Sequence, residues 1–144
     1  MTAPAEKDPL TRKVIGEAMH VHRILGPGFL ETIYHTALMR RLQKSGLKVE
    51  SQRSLAVHFE DEIIGNFLVD LIVEDQLILE LKAVTSLNSA HEVQLVNYLT
   101  ALRIEKELLL NFGGSSLEFK RKSRTVVPRL NALLRNPVNL VNPV

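Results

Sequence analysis

The chain has 144 residues, 45% hydrophobic and 24% charged, which suits one globular domain able to bury a core. It has no cysteine, so disulfides, thiolate zinc sites and cysteine nucleophiles are excluded. No apolar stretch reaches the ~20 residues of a membrane helix, and the start M-T-A-P-A-E-K-D-P-L lacks the build of a secretory signal, so a cytoplasmic location without a membrane partner is expected. The net charge of +2 is unevenly spread. Residues 118–144 hold six bases (Lys120, Arg121, Lys122, Arg124, Arg129 and Arg135) against Glu118, whereas the other residues hold 12 bases and 15 acids. Such a basic segment either contacts phosphates or is a solvated tail.

In chain order, Asp8-Pro9 reads as an N-cap followed by proline at the first helical position. The spacing of Ile15, Ala18, Met19, His22 and Leu25 predicts a helix to about Leu25, broken by Gly26-Pro27-Gly28. A second helix is expected from about Leu30 to Lys44, with Ile33, Ala37, Leu38 and Leu42 on its core side and Ser45-Gly46 ending it. Leu55, Val57 and Phe59 recur at period two, as in a half-exposed strand, and Glu60-Asp61-Glu62 reads as a turn. Residues 63–73 and 77–84 are expected to form two further strands joined at Glu74-Asp75-Gln76. Ser89 to Arg103 has a helical pattern, Leu108 to Phe112 and Leu117 to Lys120 read as short strands around Gly113-Gly114, and Pro128 to Leu134 suits a short helix. The order α-α-β-β-β-α-β-β predicts one α/β domain with a mixed sheet covered by helices.

The informative anomaly is the run Leu77 to Val84, L-I-L-E-L-K-A-V, an otherwise buried strand that carries Glu80 and Lys82. Residues two apart on a strand share a face, and burying either charge alone costs several kcal/mol in order of magnitude. Asp70 sits in a second apolar run, F-L-V-D-L-I-V. A three-residue turn at 74–76 centres the pairing on Asp75 and sets Asp70 across from Glu80, with Lys82 on the same face; a two-residue turn puts Asp70 on the other face. Carboxylates directly opposite repel unless a cation or a shared proton compensates. Two carboxylates suit Mg²⁺ or Mn²⁺ beside a phosphate, and the lysine suits developing negative charge. The competing reading is a buried ion pair of Asp70 or Glu80 with Lys82.

Two further groups accompany these residues. His91, Gln94 and Tyr98 fall at i, i+3 and i+7, either lining the site or belonging to an ordinary amphipathic helix. Gly28, Glu31 and Tyr34 cluster at the start of the second helix, where Glu31 also suits the helix dipole. The five histidines show no zinc-like spacing, and His22 reads as a partly buried core residue.

On these residues the chain resembles the GxxExxY proteins of the PD-(D/E)XK nuclease superfamily. The resemblance is carried by Gly28-Phe-Leu-Glu31-Thr-Ile-Tyr34, by Asp70 followed by Glu80-Leu81-Lys82, and by H-E-V-Q-L-V-N-Y-L, L-L-L-N-F-G and L-E-F-K-R further on. It spans roughly residues 10–122, between an N-terminal extension (1–9) and a basic tail (123–144). It implies a restriction-endonuclease-like core, a central mixed β-sheet flanked by α-helices. Asp70, Glu80 and the Leu81 carbonyl would hold Mg²⁺ or Mn²⁺, with Glu31 near the metal, Lys82 as the catalytic lysine, and Gln94 and Tyr98 contributed by the following helix. The expected activity is metal-dependent hydrolysis of nucleic-acid phosphodiesters, DNA placed before RNA, with Lys120, Arg121, Lys122 and Arg124 as candidate nucleic-acid contacts and a homodimer compatible. The alternatives are an inactive nuclease-fold module that binds nucleic acid or protein, and a structural protein whose acids only form ion pairs.

Overall fold

The computed structural model describes residues 8–91 and 106–123. Helix α1 spans Pro9–Leu25. It starts as its sequence requires: the Asp8 carboxylate accepts from Thr11 N (3.2 Å) and from Thr11 Oγ1 (2.6 Å), and Pro9 occupies a first-turn position that needs no amide donor. Thr11, Val14, Ile15, Ala18, Val21 and His22 form its buried stripe, while Met19 is 40% exposed. Helix α2 spans Glu31–Lys44. Its buried stripe is Tyr34, Leu38 and Leu42, at i, i+4 and i+8, so Ile33, expected in the core, lies one position round the helix and is largely exposed.

Among the described residues the strands that follow are β1 (Val49–Ser51), β2 (Ser54–Phe59), β3 (Glu62–Leu68), β4 (Leu71–Val73), β5 (Leu77–Lys82), β6 (Lys106–Asn111) and β7 (Glu118–Ser123). The main sheet has the order β1-β4-β5-β6-β7, and β2-β3 form a separate ribbon. Among the described residues only β5 and β6 pair in parallel, which makes the sheet mixed; the other pairs are antiparallel. A parallel pair needs a crossover, and residues 89–91 begin a helix within it.

The strand expected over 63–73 is divided. Ser51 pairs with Leu71 and Ser54 with Leu68, so β1-β2 and β3-β4 keep one register through the break. Two backbone bonds bridge that break, Gln52 N to Asp70 O (3.1 Å) and Val69 N to Arg53 O (3.0 Å). The two halves thus form one long hairpin, bent at Gln52–Arg53 and Val69–Asp70, with Gln52 in the left-handed region at φ 52°. Its inner half, β4, is fully buried, whereas β3 leaves the sheet and exposes Ile63, Ile64 and Leu68. A continuous apolar run does not by itself reveal such a bend. Strand β1 carries no sequence signal of its own at three residues and forms as partner to β4.

One face of the sheet packs on α1 and α2 through Leu71, Val73, Leu77, Leu79, Leu81, Leu108 and Leu110, together with Phe112 beyond β6. The opposite face carries Ile72 and Ile78, with Val69, Leu55 and Phe67 around them. Since side chains alternate along a strand, that second face is also the one on which Glu80 and Lys82 stand.

The end of β6 is tied to the end of β5. Asn111 is completely buried; its Nδ2 donates to Val84 O (2.9 Å) and Glu118 Oε1 (2.8 Å), and its Oδ1 accepts from Val84 N (2.9 Å) and Gly113 N (3.1 Å). Gly113 lies flat against this crossing, and a Cβ there would collide with backbone atoms of Ala83 and Val84. Gly113→Ala is therefore expected to destabilise the fold by about 1–3 kcal/mol, read as a lower urea midpoint at unchanged m-value. A wild-type midpoint would show that this close approach is not needed.

Candidate active site

Val73 pairs with Leu77, Ile72 with Ile78 and Leu71 with Leu79, so the turn holds the three residues Glu74 to Gln76 and the hairpin is centred on Asp75. Glu74 and Asp75 take left-handed conformations (φ 52° and 56°), and Lys48 and Arg53 hold the Asp75 carboxylate at 2.8 and 3.1 Å. One step beyond Leu71–Leu79, Asp70 stands across from Glu80, the expected register. Asp70 Oδ2 accepts from Leu81 N at 2.8 Å. Its backbone oxygen accepts from Gln52 N (3.1 Å) and from the His35 ring Nε2 (2.9 Å). The aspartate is thus held at both its carboxylate and its peptide.

Glu80 is half-buried, and its Oε1 is enclosed without a hydrogen-bond partner. Loss of solvent, and secondarily the charge of Asp70, pushes its carboxyl up to about 8, although Lys82 pulls the other way. The enclosed Glu80 Oε1 makes no ion pair with Lys82, although the lysine stands on the same face. Burial thus favours the protonated carboxyl, or a cation in the proton's place.

Glu31 comes from the other side. Gly26 (φ 69°) and Gly28 (φ 107°) allow the loop before α2 to turn in a region that favours glycine. Tyr34, fully buried and stacked on Phe112 (centroids 4.8 Å apart, 13° between planes), donates its hydroxyl hydrogen to Gly26 O (2.5 Å) and accepts from Phe29 N (3.1 Å). Tyr34 therefore fastens the loop and does not face the acids. Glu31 opens α2 close enough to Asp70 and Lys82 to feel both charges. Partial desolvation, then Asp70, raises its carboxyl, against the pull of Lys82 and His35. Asp70, Glu80, Lys82 and Glu31 are thus contributed by the bend before β4, by β5 and by the start of α2. Among the described residues, no three His, Asp or Glu side chains close into a ready-made cage for a metal ion.

The other expected residues separate. His91 completes a capping box at the start of the helix that opens at residue 89: Asn88 Oδ1 accepts from Ala90 N (3.0 Å) and His91 N (3.2 Å), while the His91 ring Nδ1 accepts from Asn88 N (3.2 Å). Gln94, Tyr98 and Arg124 lie outside the described residues. Lys120 pairs with Leu109, which pairs with Glu80, so Lys120 is on the site face two strands away; Lys122 shares that face. Arg121 points to the opposite face, over the Phe119 ring at 5.3 Å. The cluster of bases in sequence is therefore not one patch. His22 is a core histidine, 7% exposed, with Nε2 3.0 Å from Gly114 O.

Three residues had no sequence signal as site neighbours. His35 contacts Asp70, Asn111 braces the exit of β5, and Glu107 is buried on β6, paired with Ile78 on the Glu80 face. Both Glu107 carboxylate oxygens lack a hydrogen-bond partner, and burial, then the charge of Glu80, pushes this carboxyl up to about 9. In an unfolded chain both glutamates lose their protons near 4.5. From about pH 5 to 9 the folded state therefore binds more protons than the unfolded one, and stability falls as pH rises. In EDTA the Tm is expected to drop by several degrees from pH 6 to pH 9, and Glu107→Gln to flatten that slope. A wild-type Tm that rises over this range would show that these carboxyls titrate normally.

The model of the PD-(D/E)XK nuclease superfamily matches residues 8–122. Among solved structures, the chain is similar to the crystal structure of SSO0001, with a TM-score of 0.53 and 18% identity over 77% of this chain and 58% of that one. The chain thus spans little more than half the length of that protein, and the likeness is one of fold. It also matches the alkaline exonuclease LHK-Exo from Laribacter hongkongensis, with a TM-score of 0.41 and 12% identity over 99% of this chain and 81% of that one. No match to a curated protein is found. With its mixed sheet and flanking helices forming a restriction-endonuclease-like core, and a family match over most of its length, the chain belongs to the PD-(D/E)XK nuclease superfamily.

Proposed function

We propose that the protein is a Mg²⁺- or Mn²⁺-dependent nuclease that hydrolyses phosphodiester bonds of nucleic acid, DNA before RNA. Within the superfamily we place it with the GxxExxY proteins, on Gly28, Glu31 and Tyr34. The observation that carries the reading is the register of the β4–β5 hairpin, which sets Asp70 opposite Glu80 one residue beyond the Leu71–Leu79 pair, with Glu80 Oε1 enclosed and unpartnered and Lys82 on the same face. The donors fit a hard divalent cation, which prefers oxygen ligands and retains waters, so an incomplete protein cage is compatible with it. Asp70, Glu80 and the Leu81 carbonyl would hold the ion, and Glu31 would act through water. A bound ion supplies Lewis-acid stabilisation of phosphoryl charge and a more acidic water.

The chain's own residues do the rest. The Leu81 amide keeps the Asp70 carboxylate from turning away. Glu80 would hold the cation as a carboxylate, its enclosed Oε1 being the atom left without a protein partner. Lys82 presents its ammonium to the negative charge that develops on the phosphate. Lys120, exposed on the same face, places a neighbouring phosphate by charge alone, which confers no base specificity.

The test compares wild type, Asp70→Ala and Lys82→Ala. Mn²⁺ should raise the Tm of wild type saturably and not that of Asp70→Ala. Cleavage of plasmid and single-stranded DNA with Mg²⁺ should fall at least ~100-fold in both variants, as expected when groups acting on the transition state are removed. Unchanged cleavage in both would sink the nuclease reading. The placement of Lys120 on the site face also supports a second reading, a module that binds nucleic acid without cutting it. Salt-sensitive binding that survives EDTA and Asp70→Ala, with no cleavage, would establish that one.

A further inference from the structure

His35 stands one turn beyond Glu31 on α2, and its ring reaches the sheet. Nε2 is 2.9 Å from Asp70 O and 3.2 Å from Ser51 Oγ. A carbonyl oxygen only accepts, so Nε2 carries the hydrogen, and the Ser51 oxygen is a second, longer acceptor for it. This assigns the tautomer: in the neutral ring Nδ1 is bare. The other approach to Asp70 O is taken by Gln52 N at 3.1 Å. Asp70 is thus gripped at three points from three directions: the bend before β2, helix α2, and the Leu81 amide of β5.

The position of this contact matters. Asp70 lies at the bend where the long hairpin leaves the main sheet, a place where the ladder alone does not hold the chain. Among the described residues, the hydrogen bonds of His35 are those that join α2 to the strands. Helix α2 also brings Glu31, its first residue, one turn before His35. One ring thus connects the backbone of one acid to the helix that carries another.

We propose that His35 is a positioning residue for the acidic site: its Nε2–H pins the carbonyl of Asp70 and so sets the separation of Asp70 from Glu31. His35 touches no reacting atom and ligates nothing. The inference rests on the reading of Asp70 and Glu80 as cation ligands. Partners that orient a ligand typically change metal affinity by 10- to 100-fold when removed.

The experiment is a Mn²⁺ titration followed by thermal shift, on wild type, Asp70→Ala, His35→Phe and His35→Gln. Phenylalanine keeps a ring without a donor; glutamine keeps an N–H at similar reach. His35→Phe is expected to weaken Mn²⁺ binding about 10-fold, and His35→Gln to restore near-wild-type affinity, a rescue that mere packing would not produce. Wild-type affinity in His35→Phe, with Asp70→Ala inactive in binding, would overturn the inference and leave the site reading standing. No saturable shift in wild type would sink the site reading and the inference with it. Should His35→Phe not fold, ring ¹⁵N spectra of the wild-type protein decide: hydrogen on Nε2 with a bare Nδ1 supports the contact, and hydrogen on Nδ1 alone overturns it.

Discussion

The structure depends on the register of one hairpin. Centring β4 and β5 on Asp75 sets Asp70 against Glu80 at the edge of an apolar sheet, where neither charge can be fully hydrated. A slip of one residue would turn Asp70 to the other face and dissolve the site. The turn is held accordingly: two consecutive left-handed residues, and Lys48 and Arg53 around the Asp75 carboxylate. These are exposed ion pairs of small individual worth, but they act together on the element that decides the register.

A second constraint supports the first. The hairpin formed by β1-β2 and β3-β4 bends at Asp70, so the backbone carrying the aspartate leaves the regular ladder there. Bends at sheet margins re-aim side chains and require their own partners. Here the partners are Gln52, His35 and Leu81, contributed from three separate segments. On the far side of β5, Asn111 and Gly113 clamp the exit of the strand that carries Glu80 and Lys82, and Tyr34 fastens the loop that delivers Glu31. Much of the motif pattern in the sequence is thus scaffold: the glycines and Tyr34 around Glu31, and the N-F-G at the end of β6.

Glu80 and Glu107 carry the energetic consequence. Both carboxyls carry an enclosed oxygen without a partner, and the charge of Glu80 adds to the cost of ionising Glu107. Such groups weaken the fold as pH rises, and are tolerated where a proton or a cation occupies the site. The stabilising burden falls on the opposite face, where leucines of β4, β5 and β6 pack on α1 and α2.

The sequence by itself determined both helices, the β4-β5 turn and the Asp70, Glu80, Lys82 constellation, because caps, period and charges inside apolar runs are local signals that the fold has to respect. Glu31 was legible through its spacing from Gly28 and Tyr34, though the local pattern left open whether it served the helix dipole or the site. Only the tertiary structure decided the rest. It showed the bend that divides residues 63–73, since an apolar run reads alike whether straight or bent. It put Tyr34 in the core where Ile33 was expected, because the helix face is chosen by what packs on it. It set Lys120 and Arg121 on opposite faces of an edge strand, and it joined His35 to Asp70, 35 residues away in sequence. Such pairings are made by chain topology, and no local periodicity encodes them.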